Sequence, residues 1–141
     1  MNRRSVYVTV SLLAFFLVAS CKKGPEPIDQ KQFLYKTWLL SAQTVQRNDS
    51  PPEDVYAQME DCQKDDELIF LENGTYEMNP GTDECQISFL EEGTWELYGS
   101  KLFLANQEFK VLELSSTMLR LQQVSSRAGD KTTATATYRP K

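Results

Sequence analysis

The chain contains no histidine. That absence removes the Ser-His-Asp and Cys-His arrangements of nucleophilic catalysis, and with them every metal centre that depends on imidazole ligands. Carboxylates, lysine and tyrosine remain as catalytic groups, but a carboxylate-based hydrolase needs two acidic side chains converging in one cleft. Positive charge is also scarce. Fifteen Lys and Arg stand against 20 Asp and Glu, a formal net charge of −5. An acidic body argues against nucleic acid, because gripping phosphates takes clustered Lys and Arg; it argues equally against electrostatic adhesion to anionic lipid. Long apolar runs are missing after residue 20, and so are amphipathic stretches of helical length. Cysteine is limited to Cys21, Cys62 and Cys85, with no CxxC spacing to suggest a metal site. No cofactor is expected.

The first 20 residues have the parts of a bacterial secretory signal. Arg3 and Arg4 form a positive start, Val6 to Val18 an apolar run, and Val18-Ala19-Ser20 leads to Cys21. The run is short for a membrane-spanning helix, which takes ~20 apolar residues. A cysteine directly after small residues resembles a lipobox. The resemblance implies that Cys21 becomes the first mature residue and carries acyl chains, which hold a chain to a bilayer at ~0.8 kcal/mol per buried methylene. It also implies a place in the cell envelope at the outer membrane, periplasmic or surface-exposed, since Lys22 rather than Asp follows the cysteine. All 20 acids and 13 of the 15 basic residues lie beyond residue 20, so the remainder carries −7. An exported chain passes an oxidising compartment, where Cys62 and Cys85 pair by default. Two buried free thiols are the alternative.

Residues 21–32 read as a tether, with Pro25 and Pro27 favouring extended chain, and residues 33–141 as one domain. Asp29 is a candidate cap for a helical turn or two reaching Tyr35, with Ile28, Phe33 and Leu34 on its apolar side. From Thr37 onward the signals are those of strands, each closed by turn residues. The expected runs are Thr37 to Gln46, Glu67 to Leu71, Thr75 to Met78, Gln86 to Phe89, Thr94 to Tyr98, Lys101 to Ala105, Phe109 to Leu114, Met118 to Val124 and Thr132 to Tyr138. Val55 to Met59 reads as either strand or helix. Asn73-Gly74 is the strongest hairpin signal, since both residues tolerate positive φ. Glu91-Glu92-Gly93 and Asn106-Gln107 read as turns. Eight or nine short strands without long helices predict an antiparallel meander that closes on itself or packs as a sandwich. Closure is favoured because it removes bare sheet edges.

Alternation assigns an interior. Leu119 and Leu121 face one way, Arg120 and Gln122 the other. The expected inward set is Trp38, Leu40, Phe70, Tyr76, Trp95, Leu97, Phe103, Leu119, Leu121 and Tyr138; all of these except Leu121 are the ligand-cavity candidates. Trp38 and Trp95 each read first as core plugs. Ala134 and Ala136 on the last strand either leave room for a cavity or pack tightly against bulky neighbours. The acidic residues Asp65, Asp66, Asp83 and Glu84 form a weak calcium candidate, because pairing Cys62 with Cys85 would bring the two acidic stretches together. The EF-hand pattern is absent, and a solvated acidic loop is the simpler reading.

Four features together resemble the lipocalin-like domain of small Gram-negative lipoproteins. They are Trp38 on a first strand, Cys62-Gln63-Lys64-Asp65-Asp66 before a strand ending in Phe70, the Asn73-Gly74-Thr75-Tyr76 hairpin, and Cys85 followed by Gly93-Thr94-Trp95. The resemblance covers residues 33–139. It implies a small up-and-down barrel of about eight strands with a Cys62–Cys85 bridge and names no ligand; the volume such a barrel encloses is what points to non-catalytic binding of a small apolar or amphipathic molecule. An eight-stranded barrel holds either one small ligand or a filling of side chains. A filled interior would instead imply an adaptor that meets an envelope protein through its outer surface.

Overall fold

The computed structural model describes residues 29–82 and 91–141. The fold is all-β, built on an antiparallel closed barrel of eight strands. Strand β1 spans Thr37–Arg47, β2 Glu53–Asp54, β3 Glu67–Phe70, β4 Thr75–Asn79, β5 Glu91–Tyr98, β6 Lys101–Leu104, β7 Gln107–Leu114, β8 Leu119–Arg127 and β9 Asp130–Pro140. Successive strands from β3 to β9 pair in sequence order, and β1 pairs with β9 from Trp38↔Pro140 to Arg47↔Thr132, which closes the barrel. The other edge of β1 is shared. Its start pairs with β3 through Thr37–Leu39, and its end carries the two-residue β2 at Thr44 and Val45. A four-residue β3 cannot cover an eleven-residue neighbour, so β2 satisfies part of the remaining edge.

The turns set the register. Ala128 (φ 52°) and Gly129 (φ 91°) form a two-residue turn with both residues left-handed, the geometry that suits the twist of two long strands. At Asn73-Gly74 the expected hairpin joins β3 to β4, with only Gly74 taking positive φ (85°). The Asn73 side chain instead accepts hydrogen bonds from the Thr75 N–H and hydroxyl at 3.0 and 2.7 Å, fixing a longer turn over residues 71–75. Glu91 to Gly93 is strand rather than turn, with Gly93 opposite Tyr76. Gln107 likewise belongs to β7, the turn being Ala105-Asn106. Val55 to Met59 resolves as a 3₁₀ turn over Tyr56–Gln58. The strand expected at Gln86 to Phe89 lies outside the described residues.

One end of the barrel is plugged. A 3₁₀ turn over Gln30–Phe33, capped by Asp29 accepting from the Lys31 N–H, delivers Leu34 into the interior. There the indole N–H of Trp38 donates to the Leu34 carbonyl at 3.1 Å. Trp38, Leu34, Leu102 and Leu119 are fully buried. Phe70 meets Trp95 edge to face at 5.7 Å, and the Trp95 indole N–H donates to the Leu71 carbonyl. Both tryptophans thus place large apolar area in the core while satisfying their one donor. Both ends of the described chain lie at this floor, where the Lys141 N–H donates to the Thr37 carbonyl. The β6–β7 and β8–β9 turns stand at the opposite end.

Candidate functional site

Above the floor the barrel is hollow, with a cavity of about 420 Å³. Its apolar walls come from Leu68, Met78, Leu104, Phe109 and Leu121. Ala134 and Ala136 line it as well, and their small side chains on β9 account for much of the room. Tyr76 and Tyr138 contribute two rings. Gln43, Asn106, Gln107 and Gln123 form a polar rim toward the β6–β7 turn, where the Gln123 amide donates to the Gln107 side-chain oxygen at 3.1 Å. Among the described residues no Lys, Arg, Asp or Glu lines the cavity.

Tyr138 is the most informative residue of this site. The register sets it beside Leu119 on β8 and Leu40 on β1, two pairs above the Trp38–Pro140 floor. It keeps some surface open to the cavity yet lies deep in protein, and burial pushes its phenol up to about 12. Its hydroxyl therefore stays protonated across the physiological range. Among the described residues that hydroxyl has no hydrogen-bond partner.

The structure separates the expected inward residues into three groups. Tyr76, Leu121 and Tyr138 line the cavity. Trp38, Phe70, Trp95, Leu97 and Leu119 are buried in the plug beneath or beside it. Leu40 is half-buried and belongs to neither the plug nor the cavity wall, and Phe103 faces outward, edge to face with the exposed Tyr98. Phe103 is misplaced by a one-residue register error. The Gly99-Ser100 turn pairs Tyr98 with Lys101, so Leu97 and Leu102 share the inner face while Glu96 and Phe103 share the outer. Gln43 was missed for a related reason. The pairing of β1 with β9 shifts between Leu40 and Ala42, a bulge at Ser41 that reverses the alternation begun at Trp38.

Of the acidic candidates, Asp65 and Asp66 fall within the described residues. Asp65 accepts from the Thr82 N–H and hydroxyl at 2.8 and 3.1 Å, which ties it to the loop after β4. Desolvation, and then the charge of Asp65, push the Asp66 carboxyl above its usual range. Asp83 and Glu84 lie outside the described residues. Among the described residues no group of three or more His, Cys, Asp or Glu could hold a metal ion. Cys62 sits on a single helical turn, α1, over Asp61–Lys64. Cys21 and Cys85 lie outside the described residues.

The profile of the lipocalin-like domain matches residues 34–121. The chain belongs to the lipocalin-like domain family. No curated protein matches it. The lipocalin-like match begins at the buried Leu34 and reaches Leu121 on the cavity wall, so it takes in the plug and most of the strands that enclose the hollow. No helix among the described residues is long and apolar enough to cross a membrane.

Proposed function

We propose that this lipocalin-like barrel binds a small, largely apolar molecule in its cavity and carries out no chemistry on it. One observation carries the reading: a hollow of about 420 Å³ with apolar walls and a polar rim. That volume falls within the range of small-molecule sites, ~300–1,000 Å³, whereas a barrel of this size filled by side chains would leave none. The hollow favours a ligand binder over an adaptor. Only Tyr98, Leu112 and Val124 are strongly exposed large hydrophobics among the described residues, and they come from three different strands.

We further propose that acyl chains on Cys21 hold the domain at the cell envelope through residues 22–32. The signal-like start and the cysteine after Val18-Ala19-Ser20 support this. Two measurements test the pair of proposals. Native mass spectrometry of the chain purified from its own host is expected to show a retained small molecule that is missing when Ala136→Phe fills the hollow. A wild-type chain that carries nothing and whose melting no apolar probe shifts would overturn the binding proposal. Labelled palmitate is expected to enter the chain and to be lost on Cys21→Ser; incorporation indifferent to that change overturns the anchor.

A further inference from the structure

Among the described residues the cavity lining is apolar or neutral, and the nearest thing to a charge-recognising group there is a phenol that stays protonated. A carboxylate entering this space would give up its hydration shell and meet no cation. An ammonium would meet no anion. Either transfer is strongly unfavourable without a partner. An anion would also approach a body of formal charge −5 over the whole chain. A neutral oxygen faces none of these costs. It finds instead the Tyr138 hydroxyl, a donor without a protein partner among the described residues, set deep beside the plug. A donor that opens into a cavity is unfavourable when left unsatisfied, so water occupies such a place when the cavity is empty and polar enough to hold it. A ligand oxygen arriving at the same point replaces that water and restores the bond.

We infer that the cavity selects uncharged amphipaths, molecules with an apolar body and a neutral hydroxyl or carbonyl oxygen. The Tyr138 hydroxyl donates to that oxygen, and ionised acids and amines of the same length are rejected. This rests on the ligand-binding reading above and names the chemical class that the same site takes. The apolar body lies against Leu68, Met78, Phe109 and Leu121. The rim amides of Gln43, Gln107 and Gln123 stay available to whatever part of the ligand reaches the mouth.

The test uses the full chain with three probes of equal length: 1-decanol, decanoate and decylamine near pH 7. Binding is read from thermal melting and from saturation-transfer NMR. Decanol is expected to bind at least about tenfold more tightly than either ion. Tyr138→Phe is expected to weaken decanol about fivefold to tenfold while leaving the two ions weak. Ala136→Phe is expected to abolish all binding. Decanoate binding as tightly as decanol, with both lost in Ala136→Phe, overturns the selectivity and leaves the cavity reading standing. Decanol binding unchanged in Tyr138→Phe overturns the role of that hydroxyl. Binding of none of the three probes by the wild-type chain overturns the inference together with the reading beneath it. The comparison of charges needs no variant, so a failure of Tyr138→Phe to fold would leave it intact.

Discussion

Tyr138 joins the binding proposal to stability. Its phenol titrates near 10 in an unfolded chain and at about 12 in the barrel, because burial disfavours the phenolate. The raised value means that the stabilising contribution is fully present below pH 10 and is lost as pH climbs from 10 through 12. The full loss is on the order of 2–3 kcal/mol. The Tyr98 phenol is also pushed up, first by a hydrogen bond with Glu96, so the difference between proteins is the useful quantity. Thermal melting followed from pH 9 to pH 12 should show a steeper decline in the wild type than in Tyr138→Phe. Parallel curves would mean that the phenol is open to water. At this scale the sequence was partly legible. Trp38 and Trp95 announced themselves as plugs because a large ring with one donor has few other places to go. Tyr138 was placed inward by simple alternation with Ala134 and Ala136. Nothing in the composition could reveal that its hydroxyl would lack a partner, since that depends on side chains from other strands.

At the level of strands and turns, the meander, its approximate boundaries and its closure followed from period-two patterning and turn residues. Register did not. Leu102 and Phe103 are adjacent apolar residues, and only the two-residue Gly99-Ser100 turn decides which of them points inward. The larger side chain was the wrong choice. The bulge in β1 leaves no mark that Ser41 makes obvious, although its hydroxyl caps the irregularity by donating to the Thr137 carbonyl at 3.0 Å. Gly93 was read as a turn residue because glycine so often marks turns, yet here it serves close packing within β5. A Cβ at that position would sit 2.8 Å from the Tyr76 ring. Gly93→Ala should therefore displace that ring from the cavity wall and lower stability by about 1–3 kcal/mol. Chemical denaturation would measure the loss. A variant as stable as the wild type would show that the ring gives way freely, in which case decanol affinity should change instead.

The molecule as a whole is organised by its two ends. The plug lies at one, and at the other lie the rim and the connections that bear α1 and the loop after β4. Thr82 already ties that loop back to Asp65. We propose that Cys62 and Cys85 reinforce the same junction with a disulfide, adding about 3 kcal/mol by restricting the unfolded chain. Maleimide labelling of the denatured chain should leave both cysteines untouched until a reductant is added; labelling without reductant would mean free thiols. The oxidising compartment that favours the bridge was inferred from the first 20 residues, so this result also bears on where the chain resides.

The pairing of Trp38 with Pro140 brings the start of β1 and the finish of β9 side by side. A handle fused after Lys141, or a surface that grips the segment before Asp29, therefore holds the molecule by its stopper and leaves its portal turned toward the bulk. Immobilised in this way, the barrel can exchange small solutes without steric interference from its support, and dyes attached at Asn106 and at the carboxyl end would report independently on traffic through the portal and on the integrity of the stopper.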